Sequence, residues 1–211
     1  MEKSTNNRST LRLTLLIASL LGLILTSIFL SRRSVNQIQE TSASIYKDRL
    51  VPTAIIASLN SKVYQKRLLL ESYVLGKTDS SGSFMGSTIN RLNRQIDSLL
   101  VEYDKTKLTA KESDQFTLLK QRLSVYNQLE EEIIAKRVSQ PKEQQTLFAG
   151  TAYTTFGQVA QTLAELSSLQ LTVGERLLNQ SRGQANYMYV LTALQIGLVL
   201  IIGFSLFWQR Y

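Results

Sequence analysis

The chain has 211 residues, a formal charge of +8, no cysteine and no histidine. The missing residue types exclude a disulfide framework and thiolate chemistry, and they remove the commonest metal ligand and general base, so we expect no catalysis and no cofactor. Residues 34–182 contain 18 basic and 15 acidic residues, so most of the excess charge lies in the tails and beside two apolar segments, where it suits lipid headgroups better than nucleic acid.

The first predicted element is a transmembrane helix over residues 13–31, preceded by a short tail, residues 1–12. The 19 residues between Arg12 and Arg32 are uncharged and rich in leucine and isoleucine, and about 20 apolar residues cross the hydrocarbon core as a helix. The alternative is a cleaved signal peptide. It is disfavoured because the segment is long and two arginines, not a small-residue cleavage site, follow it.

A long helix is predicted to continue from this span without a break, from about Ser34 to Leu75. Pro52 should kink it or mark a join, and Gly76 should end it. Its buried stripe alternates steps of three and four, which keeps one face against a partner. The stripe consists of Ile56, Leu59, Val63, Lys66, Leu70 and Tyr73.

Two further helices are predicted, the second from about Phe84 to Asp104 and the third ending at about Val138. Thr109 and Glu112 have the spacing of a capping box at the start of the third helix. The buried stripe of the second helix consists of Ile89, Leu92, Ile96, Leu99 and Tyr103. That of the third helix consists of Phe116, Leu119, Leu123, Tyr126, Leu129 and Ile133. The run Glu130 to Glu132 is interpreted as a solvated face, because three consecutive residues point in different directions around a helix.

The fourth helix is predicted to begin at Gln140-Pro141, with proline at its first position. Its stripe is Phe148, Ala152, Phe156, Val159, Leu163 and Leu166, then Val173 and Leu177. It should run on into a second transmembrane helix, residues 183–208, whose ends carry tyrosine and tryptophan as membrane interfaces favour. Residues 209–211 would form a second tail.

These elements predict an all-α protein, an up-down-up-down four-helix bundle over residues 32–182 flanked by two transmembrane helices. Helix lengths predict that residues 34–46 and 170–182 extend below the bundle as a two-helix stalk. Two spans place both termini on one side of the membrane. Basic residues lie on both sides of the first span, so the charge pattern does not give the orientation.

The order of tail, span, long helix, bundle and span, with Asp48-Arg49-Leu50-Val51-Pro52 near the start of the bundle, resembles the four-helix-bundle sensory module of bacterial methyl-accepting chemotaxis receptors. The resemblance covers the whole chain. It implies an extracytoplasmic bundle anchored in the bacterial cytoplasmic membrane, with residues 1–12 and 209–211 as cytoplasmic tails. It also implies a homodimer and displacement of the fourth helix on ligand binding. Only three residues follow Trp208, so we expect signal output to need a membrane partner with a cytoplasmic output domain.

The candidate ligand site centres on Lys66, whose ammonium group occupies an apolar stripe and must pair, reach water or meet an anion. In the resembling receptors an anionic ligand is held near this level by cations of the first helix and polar groups of the fourth. The corresponding candidates are Lys62, Lys66, Arg67, Thr154 and Thr155. The alternative interpretation is that Lys66 lies along the core and extends its charge outward to water.

Arg49 and Gln170 also fall on the buried stripes of their helices. Polar residues at such positions often fix helix register, and we expect a structural role for both. The leading interpretation of the whole chain is a sensory or ligand-binding module. A scaffold protein of an envelope complex, without a small-molecule ligand, is the alternative, and an enzyme is a distant third.

Overall fold

The computed structural model describes residues 3–76, 82–136 and 141–208, and within these ranges every regular element is helical. This confirms the all-α fold. The predicted helix end at Val138 and the residue Gln140 lie outside the described ranges. The elements are α1 (Lys3–Ile45), a π-helical segment (Tyr46–Leu50), α2 (Val51–Val74), α3 (Gly82–Asp104), α4 (Ala110–Lys136), α5 (Pro141–Leu147), a second π-helical segment (Phe148–Ala152) and α6 (Tyr153–Trp208).

The chain divides into two compact units. One unit, Ser44–Glu175, is the four-helix bundle and contains α2 to α5 and the first part of α6. The other consists of Met1–Ala43 and Arg176–Tyr211. Gln170, predicted to begin the stalk, is instead buried inside the bundle, because its side chain is held by Arg49 and Tyr103.

The bundle core follows the predicted stripes closely. Side chains from all four bundle helices form one buried cluster, which includes Leu59, Leu70, Ile96, Leu119 and Leu163. Three tyrosines, Tyr73, Tyr103 and Tyr126, are among the largest fully buried side chains. The first and fourth bundle helices meet where Tyr64 packs edge-on against Phe156, with ring centroids 5.0 Å apart.

Local signals set the helix ends as predicted. The backbone N–H of Thr109 donates to the carboxylate of Glu112 at 2.6 Å, and the N–H of Glu112 donates to the hydroxyl of Thr109 at 3.3 Å, which completes the capping box before α4. After α2, Gly76 adopts a φ of 67°, which glycine tolerates without the steric cost of a Cβ atom. Pro141 is the first residue of α5.

The irregularity predicted at Pro52 takes the form of a π-helical turn. Proline has no N–H to donate to the carbonyl four residues earlier. The N–H of Val51 donates to the carbonyl oxygen of Tyr46, five residues back, and this closes the wider turn. The buried residues Gln144 of α5 and Phe148 and Ala152 of the second π-helical segment are spaced by two successive steps of four, which a wider turn accommodates.

Two of the described helices, Ile17–Val74 and Pro141–Phe204, each contain an 18-residue window long and apolar enough to cross a membrane. No part of either window is buried, and apolar side chains such as Leu25, Phe29 and Leu200 are exposed. Such a surface is unfavourable in water and is expected in lipid. Between these helices the hydroxyl of Ser27 donates to Oε1 of Gln195 at 2.5 Å.

Candidate functional site

Lys66 is an internal residue of the bundle and is paired. Its Nζ lies 2.7 Å from Oε2 of Glu130 on α4, and neither side chain has measurable solvent exposure. Nζ also donates to Oδ1 of Asn127 at 2.7 Å and lies 5.5 Å from the centre of the Tyr126 ring. The interpretation that Lys66 extends its charge outward to water is therefore wrong, because α4 supplies an acceptor inside the core.

Arg67 is also buried, against the aromatic side of the fourth bundle helix. Its guanidinium carbon lies 3.6 Å from the ring centre of Phe148, and the rings of Phe156 and Tyr153 lie 5.6 Å and 5.8 Å away. The flat face of a guanidinium group suits such rings. Its Nη1 atom is buried and has no hydrogen-bond partner. We call Lys66, Arg67, Tyr126, Asn127 and Glu130 the Lys66 cluster.

The interpretation of residues 130–132 as a solvated face is wrong for Glu130. Glu131 and Glu132 are exposed, but Glu130 is buried. A step of four from Tyr126 and a step of three to Ile133 place Glu130 on the inner face of α4. Sequence analysis had assigned that position to Leu129, which is partly buried beside the core.

Burial dominates the ionisation of this cluster. It raises the pKa of Glu130 to about 7, although the positive charges of Lys66 and Arg67 oppose the shift. Burial also lowers the pKa of Lys66, and Glu130 and Asp97 oppose that change. The pKa of Tyr126 is raised by burial and by the nearby Glu130. A change in the surroundings of the Lys66–Glu130 pair near neutral pH can therefore change whether Glu130 is protonated.

The other three candidate residues do not belong to the Lys66 cluster. Lys62 is half-buried on α2, Thr155 is buried and Thr154 is exposed. The Thr154 hydroxyl donates to the carbonyl oxygen of Gly150, and the Thr155 hydroxyl to that of Thr151. Both threonines thus donate within their own helix. Of the five predicted residues, the structure places Lys66 and Arg67 at the centre of a buried ionic cluster.

Arg49 and Gln170 meet in a second buried polar group, with Glu112 and Tyr103, which we call the Arg49 cluster. Nη1 of Arg49 donates to Glu112 at 2.8 Å and to Oε1 of Gln170 at 3.2 Å. Nε2 of Gln170 donates to the Tyr103 hydroxyl at 3.2 Å. This group joins all four bundle helices through hydrogen bonds, in keeping with the structural role predicted for Arg49 and Gln170.

The functional residues that sequence analysis missed are the acceptors. Glu130 was assigned to the surface, and Glu112 was identified only as a helix cap. A signal for Glu130 was present, because a basic residue on the inner stripe of one helix calls for an acid on the inner stripe of another. Capping already explained Glu112, so its ion pair was not predicted. One of its carboxylate oxygens caps α4 and the other accepts from Arg49.

Comparison with known proteins agrees with this architecture. A search of curated proteins finds no match. The sequence model of one family, described as the four helix bundle sensory module for signal transduction, matches residues 10–185. The match includes the whole bundle unit, Ser44–Glu175, and the first apolar segment. The chain therefore belongs to the family of four-helix-bundle sensory modules for signal transduction.

Proposed function

We propose that this chain is a non-catalytic sensor anchored by two helices in the bacterial cytoplasmic membrane, with its bundle outside the cytoplasm and a small anion as its ligand. The observation that supports the ligand class is an excess of buried positive charge. Lys66 and Arg67 contribute two positive charges to the Lys66 cluster, and Glu130 contributes a single negative one. The cluster therefore carries a net charge of +1, which favours an anionic ligand over a neutral or cationic one.

The cost of this imbalance gives the proposal its physical basis. A buried charge without a full set of partners is unfavourable, and a buried guanidinium group has five N–H donors to satisfy. Nη1 of Arg67 has no hydrogen-bond acceptor, and the guanidinium group rests on apolar rings. A carboxylate or phosphate oxygen would supply the missing acceptor through a charge-assisted hydrogen bond.

Asn127 of the cluster is half-buried, and Arg67 and its neighbour Phe148 are slightly exposed. Both are 8% exposed, whereas Lys66 is 0% exposed. We propose that an anion reaches Lys66 by displacing the Phe148 ring from Arg67. Phe148 begins the second π-helical segment, and π-helical turns occur often at functional sites because their hydrogen bonding is less regular.

The same two helices connect the cluster to the candidate spans. Lys66 and Arg67 lie on α2, which is continuous with α1 through the first π-helical segment. The rings around Arg67 belong to the segment that continues as α6. An anion that separates Arg67 from these rings would change the packing between the two helices that contain the apolar windows. This is the route by which we propose that binding becomes a signal.

The experiment compares Lys66→Met with Lys136→Met in the full chain, purified in lipid nanodiscs. The melting temperature is measured against sodium acetate and other small carboxylates at constant ionic strength. We expect acetate to raise the melting temperature of the natural protein, since a ligand that binds only the folded state stabilises it. Lys66→Met should weaken acetate binding by about one to two orders of magnitude, the value of one charge-assisted contact.

Lys136→Met is the matched control, because it removes the same charge from a lysine that pairs with Glu132 and Glu143 at the bundle surface. It should leave the acetate response unchanged. Circular dichroism checks that both variants fold. A folded Lys66→Met protein with the natural acetate response would eliminate the proposed site.

We also propose that a second copy of the chain is its partner. A set of exposed, mostly apolar side chains follows the outer face of the first bundle helix in heptad steps, as a parallel helix pair requires. This face, which we call the outer stripe, consists of Leu50, Ala54, Ala57, Ser61, Tyr64, Leu68 and Leu75. It lies on the opposite side of the helix from Leu59, Val63 and Leu70 in the core, so a second copy could pair with it while the bundle remains intact.

A further inference from the structure

We propose that Glu130 is an internal competitor of the ligand, so that its carboxylate occupies the cationic site until a proton neutralises it and a carboxylate anion takes its place. This inference rests on the proposed anion site. It adds a regulation to that site, since binding would be coupled to proton uptake. While Glu130 is charged, its carboxylate would occupy the place of the ligand beside Lys66 and exclude an anion from it.

The geometry supports competition. Oε2 of Glu130 lies 2.7 Å from Nζ of Lys66, where an oxygen of a bound carboxylate would be expected. Apart from this ion pair, neither oxygen of Glu130 has a well-formed hydrogen bond, although both are buried. A carboxylate with so few partners is poorly stabilised for a buried charge. An anion that also reaches Nη1 of Arg67 would gain an acceptor contact that Glu130 does not make.

The neighbouring helices surround Glu130 with charged groups and aromatic rings. Lys66 and Arg67 on α2 favour its charged form, and Glu131 on its own helix disfavours that form. On α3, Asp97 acts through Lys66. The fourth bundle helix contributes aromatic rings beside Arg67. With Tyr126 also next to it, burial outweighs the two cations, and the pKa of Glu130 is raised to about 7.

The proton balance of the exchange is simple. Above this pKa, Glu130 is charged and is paired with Lys66. When an acetate ion enters, Glu130 accepts one proton from water, and acetate becomes the counter-ion of Lys66. The net charge of the buried cluster is then the same before and after binding, because one carboxylate has replaced another. No covalent bond other than the carboxyl O–H is formed.

The test measures acetate binding to the full chain in nanodiscs by isothermal titration calorimetry at pH 6 and pH 8. The natural protein should bind acetate about tenfold more weakly at pH 8, because one proton must be taken up for each anion there. In two buffers of different ionisation enthalpy, the heats should show uptake of close to one proton per acetate at pH 8. Far less uptake is expected at pH 6.

Glu130→Gln keeps the shape of the side chain and removes its charge. It should bind acetate about tenfold more tightly than the natural protein at pH 8 and with equal affinity at both pH values. Glu131→Gln, an exposed neighbour of the same type, is the control and should behave like the natural protein. Should Glu130→Gln fail to fold, the proton uptake of the natural protein decides the question by itself.

The possible failures are distinguishable. Acetate binding that is equal at pH 6 and pH 8, takes up no proton and is unchanged by Glu130→Gln would overturn the internal-competitor role and leave the anion site in place. No acetate binding to either protein at either pH would overturn the anion site, and the competitor with it. Weaker binding in Glu130→Gln would show that Glu130 supports the ligand and does not compete with it.

Discussion

At the scale of single residues, the buried Glu130 makes a prediction about stability and pH. Because the pKa of Glu130 is raised to about 7 in the folded bundle, the folded state binds a proton more tightly than the unfolded state. The free energy of unfolding should therefore fall as pH rises from about 4.5 to about 7, where the folded and unfolded carboxyl groups titrate. A shift from 4.5 to about 7 corresponds to roughly 3 kcal/mol.

The measurement is a series of thermal unfolding curves between pH 5 and pH 8, followed by circular dichroism. Glu130→Gln should flatten the decline, because the amide does not titrate. Glu131→Gln should leave it in place, since exposed substitutions usually change stability by less than about 0.5 kcal/mol. A decline that persists in Glu130→Gln would assign the pH dependence to another group.

Of the two residues of the buried ion pair, Lys66 could be identified from the sequence and Glu130 could not. Lys66 stood out, because an ammonium group on an apolar stripe needs an explanation. Glu130 did not, because it is next to Glu131 and Glu132 and adjoins Leu129, which offers an apolar alternative for the same turn. Steps of three and four permit both residues, and only the packing of α4 against Lys66 selects Glu130. The aromatic contacts of Arg67 depend equally on the register between helices, which one sequence does not contain.

At the scale of helices, Glu112 both caps the start of α4 and pairs with the buried Arg49. Thr109→Ala removes the hydroxyl that accepts from the N–H of Glu112, and it should lower the free energy of unfolding by about 1 kcal/mol. Glu112→Gln keeps a carbonyl oxygen for the cap and removes the charge opposite Arg49. It should cost roughly 3–5 kcal/mol, because Arg49 then stays buried without a counter-ion.

These two variants are compared by their unfolding curves under identical conditions. Thr117→Ala is the control on the same helix, because the Thr117 hydroxyl bonds only within α4 and faces solvent; it should have little effect. Equal losses for Thr109→Ala and Glu112→Gln would mean that Glu112 serves α4 as a cap and contributes little through Arg49.

The helices themselves were largely predictable, because their signals are local. Pro52, Gly76, Thr109 and Pro141 each act on the few residues beside them, and the structure uses all four as predicted. The second π-helical segment was not predicted. No proline is present there to force it, and the steps of four from Gln144 to Phe148 and from Phe148 to Ala152 are also compatible with an ordinary helix in the sequence alone.

At the scale of the whole molecule, the natural chain has no cysteine, so single introduced thiols report position without interference. Ser61→Cys lies on the outer stripe and should form a disulfide between two copies under mild oxidation. Ser124→Cys lies on the exposed side of α4 and should remain monomeric. In intact spheroplasts, a membrane-impermeant maleimide should label Ser124→Cys if the bundle lies outside the cytoplasm.

The two readouts fail separately. Equal cross-linking of Ser61→Cys and Ser124→Cys, or none in either, would remove the support for a parallel pair through the outer stripe. Labelling of Ser124→Cys only after lysis would place the bundle on the cytoplasmic side. Both dimerisation and sidedness depend on what surrounds the chain, which explains why helical periodicity and the neutral charge pattern did not determine them.

The three fully buried tyrosines also have an optical consequence. Tyr73, Tyr103 and Tyr126 lie in the bundle core, whereas the single tryptophan, Trp208, is an exposed residue at the end of α6. Near-ultraviolet circular dichroism of tyrosine therefore reports tight packing in the bundle. Tryptophan emission reports the polarity around the end of the second apolar helix. The single tryptophan lies outside the bundle unit, so its emission can be compared with the signal of the three buried tyrosines without attaching a dye.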